Sequence, residues 1–223
     1  MIQRNERQDS YLHKGLRRKL VEDLRAKGIK DEKVLQAIMD TPRHFFLDPA
    51  FEHIAYQDRA FPIAAAQTIS HPYTVAYQTE LLQPQPFEKI LEIGTGSAYQ
   101  SCILARLGAF VYTIERQNEL FKQNNTFFYL KQFPRIKRFY GDGFEGLPTY
   151  APFDKIIITA AAPYIPPKLC EQLKEGGIMV IPVDSNDKDY QKMKKITKLN
   201  GEIEVETLAD FNFVPMLEGK QNK

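Results

Sequence analysis

From Lys89 onward the sequence alternates short apolar runs with helix-length segments, and that alternation constrains the fold more than any other feature. The runs are Ile90-Leu91-Glu92-Ile93, Phe110-Val111-Tyr112-Thr113-Ile114, Arg135 to Tyr140, Phe153 to Ile158, and Ile178-Met179-Val180-Ile181. Helical stretches are expected up to Arg106, from about Asn118 to Leu130, and from Pro166-Pro167 to a stop at Gly176-Gly177. Parallel strands need long crossovers, and helices then cover both sheet faces, so the pattern predicts a doubly wound α/β sheet of the Rossmann-like type. The tail departs from it. Lys194 to Leu199 and Glu202 to Leu208 flank Asn200-Gly201, a strong short-range hairpin signal, so the sheet is expected to end in antiparallel strands.

The first sixty residues read as helices. Leu12, Leu16, Leu20 and Leu24 recur every fourth position and predict one buried face, with Gly28 as the stop. Asp31 is the expected N-cap of a second helix that turns Val34, Leu35, Ile38 and Met39 inward, and Thr41-Pro42 ends it. Phe45 to Ser70 reads as irregular, and Pro72 opens a third helix running to about Leu82. At 223 residues the chain predicts a single domain over 1–223. It comprises a helical N-terminal segment (1–88), a βαβ core (89–183) and a C-terminal hairpin segment (184–223).

Composition removes several function classes. A hydrophobic fraction of 43% is too high for a disordered chain, and a net charge of +2 is too small for a general nucleic-acid binder held by counterion release. Cys102 and Cys170 are far apart and form no CxxC pattern, which predicts a reducing, cytoplasmic setting without a disulfide scaffold or cysteine zinc site. Both cysteines are expected to be buried apolar residues, and the run Lys188, Lys192, Lys194, Lys195 and Lys198 to lie on the solvent face of the hairpin. His13, His44, His53 and His71 include no pair spaced to share one helix face, so no metal is expected. The charged Met1 to Arg7 segment is not followed by a secretory apolar stretch, and no run approaches a membrane span.

Ligands of open α/β sheets sit beyond the carboxyl ends of the strands, where strand order reverses. Gly94-Thr95-Gly96-Ser97-Ala98-Tyr99 follows the first strand and reads either as a close-approach glycine turn or as a tight connection. A dinucleotide fingerprint would need glycine where Tyr99 stands, and a P-loop would need Lys followed by Ser or Thr. Glu115 ends the second strand about twenty residues on, placed to accept ribose hydroxyls or else to pair with Arg116. Gly141-Asp142-Gly143 follows the third strand, where a carboxylate can accept from an adenine amino group or simply shape a solvated turn. Together these positions describe a nucleoside pocket without a phosphate site, which suits S-adenosylmethionine.

Longer motifs add a resemblance. They are Pro62 with Gln67-Thr68-Ile69-Ser70 and Pro72; Leu91-Glu92-Ile93-Gly94-Thr95-Gly96-Ser97; Glu115-Arg116 with Glu119-Leu120; Gly141-Asp142-Gly143; and Pro152-Phe153-Asp154. Thr159-Ala160-Ala161-Ala162-Pro163, Gln172 to Gly177 with Ile181-Pro182-Val183, and Phe213-Val214-Pro215 follow. From about Asp40 to Leu217 the chain resembles bacterial protein-L-isoaspartate O-methyltransferases. The resemblance implies transfer of the S-adenosylmethionine methyl to the α-carboxylate of L-isoaspartyl residues in damaged peptides and aged or unfolded proteins. It places cofactor contacts at Gln67, Thr68, Ile69, Ser70, Glu92, Gly94, Gly96, Ser97, Glu115, Asp142 and Gly143. Ser70 takes the active-site hydroxyl role, and Ile69, Tyr73 and Val214 the substrate side. A monomer is expected, without nucleic-acid or membrane partners.

Ala64-Ala65-Ala66, Ala98 and Asp184 stand where the family usually has glycine, which costs about 1–2 kcal/mol wherever the backbone is left-handed. Two other readings compete: a methyltransferase acting on RNA or a small molecule, and a catalytically silent peptide-binding module. The first lacks the Asn-Pro-Pro-Tyr type motif of amino-nitrogen methylation, since Thr159 to Pro163 occupies that place.

Overall fold

The computed structural model describes residues 7–185 and 190–221, so Lys188 and most of the charged N-terminal stretch lie outside the described residues. Helix α1 (Tyr11–Ala26) is capped by Ser10, and α2 (Glu32–Met39) by Asp31, whose carboxylate accepts from the backbone of Lys33 and Val34. The leucine stripe of α1 is corrected. The buried face is His13, Arg17, Leu20, Val21 and Leu24, while Leu12 is 69% exposed. Four residues turn a helix by about 40° more than one full turn, so a strict every-fourth pattern drifts off the core face within three steps.

The segment expected to be irregular holds 3-10 turns at Arg43–Phe46 and Pro49–Ile54 and a short antiparallel pair, β1 (Phe61–Pro62) with β2 (Thr68–Ile69). Helix α3 (Pro72–Leu82) has the predicted bounds. Then come β3 (Lys89–Ile93), α4 (Tyr99–Arg106), β4 (Phe110–Glu115), α5 (Asn118–Thr126), β5 (Ile136–Tyr140), β6 (Phe153–Ile158), α6 (Pro167–Gln172), β7 (Leu173–Asp184), β8 (Gln191–Leu199) and β9 (Glu202–Phe211). The sheet order is β5-β4-β3-β6-β7-β8-β9, parallel from β5 to β7 and antiparallel beyond. Strand order therefore reverses between β3 and β6. Alternate residues feed two cores, with Ile90, Ile157, Ile178 and Val180 on one face and Leu91, Ile156, Ile158 and Met179 on the other.

Asn200 and Gly201 both take left-handed backbone (φ 54° and 77°), as a two-residue hairpin turn requires. The helix before β7 ends at Gln172, not at the glycines. Leu173 to Gly177 extend the strand through a register shift against Phe153 and Lys155, and Lys198 Nζ donates to the carbonyls of Cys170 and Leu173. Likewise α5 stops at Thr126 and a 3-10 turn (Phe128–Gln132) follows. Cys102 is fully buried, but Cys170 only half so. Among the described residues no helix is long and apolar enough to cross a membrane.

The glycine substitutions separate. Ala65, Ala66 and Ala98 have φ of 56°, 54° and 68°, so their left-handed cost applies, whereas Ala64 and Asp184 are free of it. Glycine at such a site removes about 1–2 kcal/mol of strain but loses roughly 0.4–1 kcal/mol to a freer unfolded chain. Ala98 is fully buried and also forfeits about 0.8 kcal/mol of methyl burial. Ala66→Gly is therefore expected to stabilise by up to about 1 kcal/mol, and Ala98→Gly to stay within roughly 0.5 kcal/mol of the parent. Denaturant unfolding of both variants checks the order, and a larger gain from Ala98→Gly would contradict it.

Candidate functional site

A crevice of about 830 Å³, its open mouth included, lies at the β3–β6 reversal. Ile93 ends β3, and the turn Gly94–Ser97 crosses the strand tip before α4. Gly94 needs its φ of +93°, and a Cβ there would stand 2.7 Å from Thr159 Oγ1. That hydroxyl donates to the Gly94 carbonyl at 2.7 Å, and Asn124 Nδ2 holds the Gly96 carbonyl at 2.9 Å. Gly143 is needed for close approach, since a Cβ would meet Ile93 Cγ2 at 2.4 Å and Met216 Cε at 3.2 Å.

Glu115 closes one side. Its Oε2 accepts from the Gly96 N–H and its Oε1 from the Gln117 N–H, both at 2.8 Å. Burial raises its pKa above the ordinary carboxylate value, and these backbone donors oppose the rise. Each oxygen keeps a lone pair for a ligand hydroxyl.

The opposite wall comes from the β1–β2 hairpin, whose short loop holds Ala65 and Ala66 and presents Gln67 to Ser70. Ser70 does not cap α3. The N-cap position is His71, which makes no side-chain capping bond, and the first turn is served by Asp58, whose Oδ1 accepts from the Tyr73 N–H at 2.8 Å. The Ser70 carbonyl accepts from Arg43 Nη2 at 2.7 Å. The third wall is the segment Val214–Met216, tied beside Ala161 by the Ala161 N–H on the Val214 carbonyl (2.8 Å) and the Met216 N–H on the Ala161 carbonyl (2.6 Å).

Of the residues singled out in the sequence, Gln67, Thr68, Ile69, Ser70, Gly94 and Gly96 line the crevice, joined by Ser97, Glu115, Gly143 and Val214. Three lie outside its lining. Glu92 is fully buried beneath the glycine turn, where it accepts from the Ser101 hydroxyl, and burial pushes its pKa up to about 7. Asp142 accepts from the N–H groups of Phe144 on Oδ1 (2.9 Å) and Gly219 on Oδ2 (2.7 Å), one on each oxygen. Tyr73 stacks on Phe211, ring centroids 6.3 Å apart. Sequence reasoning missed Thr159, Gln100 and Arg43. Gln100 lines the crevice with a buried Oε1 that has no partner; its Nε2 donates to Thr79 Oγ1, whose own proton goes to the Val75 carbonyl.

Away from the crevice, the fold brings Asp9, His13 and His44 together, with the two imidazole rings stacked at 3.8 Å. Most of their polar atoms are engaged locally, while the buried His44 Nε2 has no hydrogen-bond partner. Arg17 grips both Asp9 oxygens at 3.0 and 2.9 Å, the Ser10 N–H donates to His13 Nδ1, and the Tyr56 hydroxyl lies 2.6 Å from His44 Nδ1. Burial and the neighbouring His13 lower the His44 pKa to about 4.

Residues 15–221 match the family described as protein-L-isoaspartate(D-aspartate) O-methyltransferase. The protein-L-isoaspartate O-methyltransferase of Cytophaga hutchinsonii is 55% identical over 215 residues, covering 94% of each chain. That of Christiangramia forsetii is 52% identical over 213 residues, covering 95% of this chain and 99% of the relative. Among solved structures, a protein-L-isoaspartate O-methyltransferase superposes with a TM-score of 0.80 at 23% identity, covering 89% of this chain and 65% of that one. A Plasmodium falciparum structure, provisionally assigned as such an enzyme and in complex with S-adenosyl-L-homocysteine, gives 0.77 at 24% identity, covering 90% and 98%. The two likenesses establish a shared fold.

Proposed function

Because the chain belongs to the protein-L-isoaspartate(D-aspartate) O-methyltransferase family, matched over residues 15–221, we infer that its crevice joins S-adenosylmethionine to the α-carboxylate of an L-isoaspartyl residue. The protein is a methyltransferase of protein repair that uses S-adenosylmethionine. The observation that carries the placement is the meeting, in one crevice at the strand-order reversal, of the glycine turn, Glu115 and the Gln67–Ser70 wall.

The residues present fit the cofactor. Gly94 and Gly143 leave room that a Cβ would fill, Glu115 is placed for ribose hydroxyls, and the orphan Gln100 oxygen asks for a donor such as an ammonium. When bound, the cofactor supplies an electrophilic methyl group on a sulfonium. An isoaspartyl carboxylate is already ionised at neutral pH, so the chain needs no general base. Its work is alignment and exclusion of water. Ile69 and Val214 form apolar walls, and the Ser70 hydroxyl, freed from capping by Asp58, donates to the carboxylate or its main-chain neighbours. The partners in this reading are isoaspartyl peptides and aged or unfolded proteins, and the working form is a cytoplasmic monomer; sedimentation tests the oligomeric state.

The decisive assay uses methyl-labelled S-adenosylmethionine with matched isoaspartyl and aspartyl peptides. Label on the isoaspartyl peptide alone, released by mild alkali, supports the reading; a base-stable product points to a nitrogen or carbon acceptor and ends it. In the same assay Ser70→Ala is expected to lower kcat about 10-fold or more, the loss of one hydrogen bond to a charged carboxylate, and to leave S-adenosylhomocysteine affinity within about twofold. Parent turnover in Ser70→Ala would remove the orienting role.

A further inference from the structure

Arg43 is wholly buried, and among the described residues it forms no ion pair. Arg17, also buried, shows the usual remedy, a two-pronged grip on a carboxylate. Arg43 has instead the Ser70 carbonyl at 2.7 Å, a long contact to the Arg59 carbonyl at 3.4 Å, and the Tyr99 ring 5.0 Å beneath its guanidinium. Its Nε and Nη1 are buried without hydrogen-bond partners. The Tyr99 hydroxyl and the field of Asp58 favour the charged form, but neither makes an ion pair with it: Asp58 is committed to Lys27 Nζ at 2.6 Å and the Tyr73 N–H at 2.8 Å. Burial lowers the guanidinium pKa only to about 10, so the group stays charged at neutral pH.

An unpaired charge in a protein interior costs several kcal/mol, more than one carbonyl bond and a ring contact return. The expense falls directly behind the crevice, since Ser70 and Tyr99, the two residues Arg43 touches most closely, both line it. A positive charge behind a poorly polarisable wall attracts a carboxylate in the crevice more strongly than it would through water. We infer that Arg43 is a positioning and specificity residue: it fixes Ser70 through its carbonyl, and its uncompensated charge makes the crevice prefer an anionic acceptor to a neutral one. Glu115 under the glycine turn supplies the opposite sign, so the crevice is polarised for a cationic methyl donor and an anionic acceptor.

The inference rests on the isoaspartyl reading and is tested so that the two fail separately. The parent must first methylate an isoaspartyl peptide; if it does not, the functional reading fails. The KM of that peptide is then compared with the inhibition constant of its isoasparaginyl counterpart, in which a carboxamide replaces the carboxylate, in Arg43→Gln and Arg43→Lys. Arg43→Gln keeps a donor and removes the charge, and is expected to raise KM about tenfold or more while the isoasparaginyl constant moves less than about twofold. Arg43→Lys keeps the charge and is expected to retain the carboxylate preference within about threefold. Parent KM in Arg43→Gln, an equal rise in both constants, or a loss in Arg43→Lys matching that in Arg43→Gln overturns the inference. If Arg43→Gln no longer binds S-adenosylhomocysteine, Arg43→Lys decides alone: a preserved preference supports it and a lost one overturns it.

Discussion

Glu115→Ala is expected to weaken S-adenosylhomocysteine binding by about 1.5–3 kcal/mol, roughly 10- to 150-fold, the range for hydrogen bonds to a charged partner. The carboxylate is the acceptor for the Gly96 and Gln117 N–H groups, so the substitution removes the proposed ribose contact and also loosens the turn around it. Glu115→Gln separates these effects, because the amide oxygen can hold one backbone donor while the second arm becomes a donor itself. The affinity of Glu115→Gln should fall between parent and alanine variant. Calorimetry settles the matter: parent affinity in Glu115→Ala would remove Glu115 from the cofactor site. Resistance to denaturant without ligand serves as control, and it should fall less than the affinity does, since burial already disfavours the charged carboxylate.

The second large effect concerns pH and Glu92. Burial lifts this carboxyl from 4.5 to about 7, against the Ser101 and Thr113 hydroxyls and with help from Glu115. Between those values the folded state binds more protons than the unfolded one. The group therefore favours folding fully below about 4.5, and this contribution is lost as pH rises through 7. At about 1.36 kcal/mol per pKa unit the swing is about 3 kcal/mol. Glu92→Gln cannot titrate, so the parent should lose about 3 kcal/mol relative to the variant between pH 4.5 and 8. Urea unfolding of both proteins across that range measures the difference, and parallel pH profiles would show that Glu92 does not titrate there.

The parts of the molecule legible in the sequence are those whose cause is local. Ile156 to Ile158 announce a strand buried on both faces, Asn200-Gly201 a tight hairpin, and Pro72 a helix start, and each stands where expected. Leu173 to Gly177 are not legible in this way, because Lys174-Glu175 and two glycines carry no strand pattern; they join β7 only through the register shift against β6. In the site, Glu115 and the glycine turn are readable from spacing. Arg43 and Thr159 are not, for their partners lie 27 and 65 residues away, and only the folded chain brings them together. The burial of Glu92 and the commitment of Asp142 to the Gly219 N–H, 77 residues on, are equally invisible in the linear pattern.

The tie between Ala161 and the Val214–Met216 segment has a consequence for biosynthesis. Gly94 leaves the ribosome about 120 residues before Val214, roughly 6–24 s at ~5–20 residues per second. Through that interval a nascent chain owns the turn and the Gln67–Ser70 wall but not the third wall. Competence of the site thus waits for Val214 to Met216, and a product that stops short of Val214 keeps the glycine turn and the Gln67–Ser70 wall around an open trough.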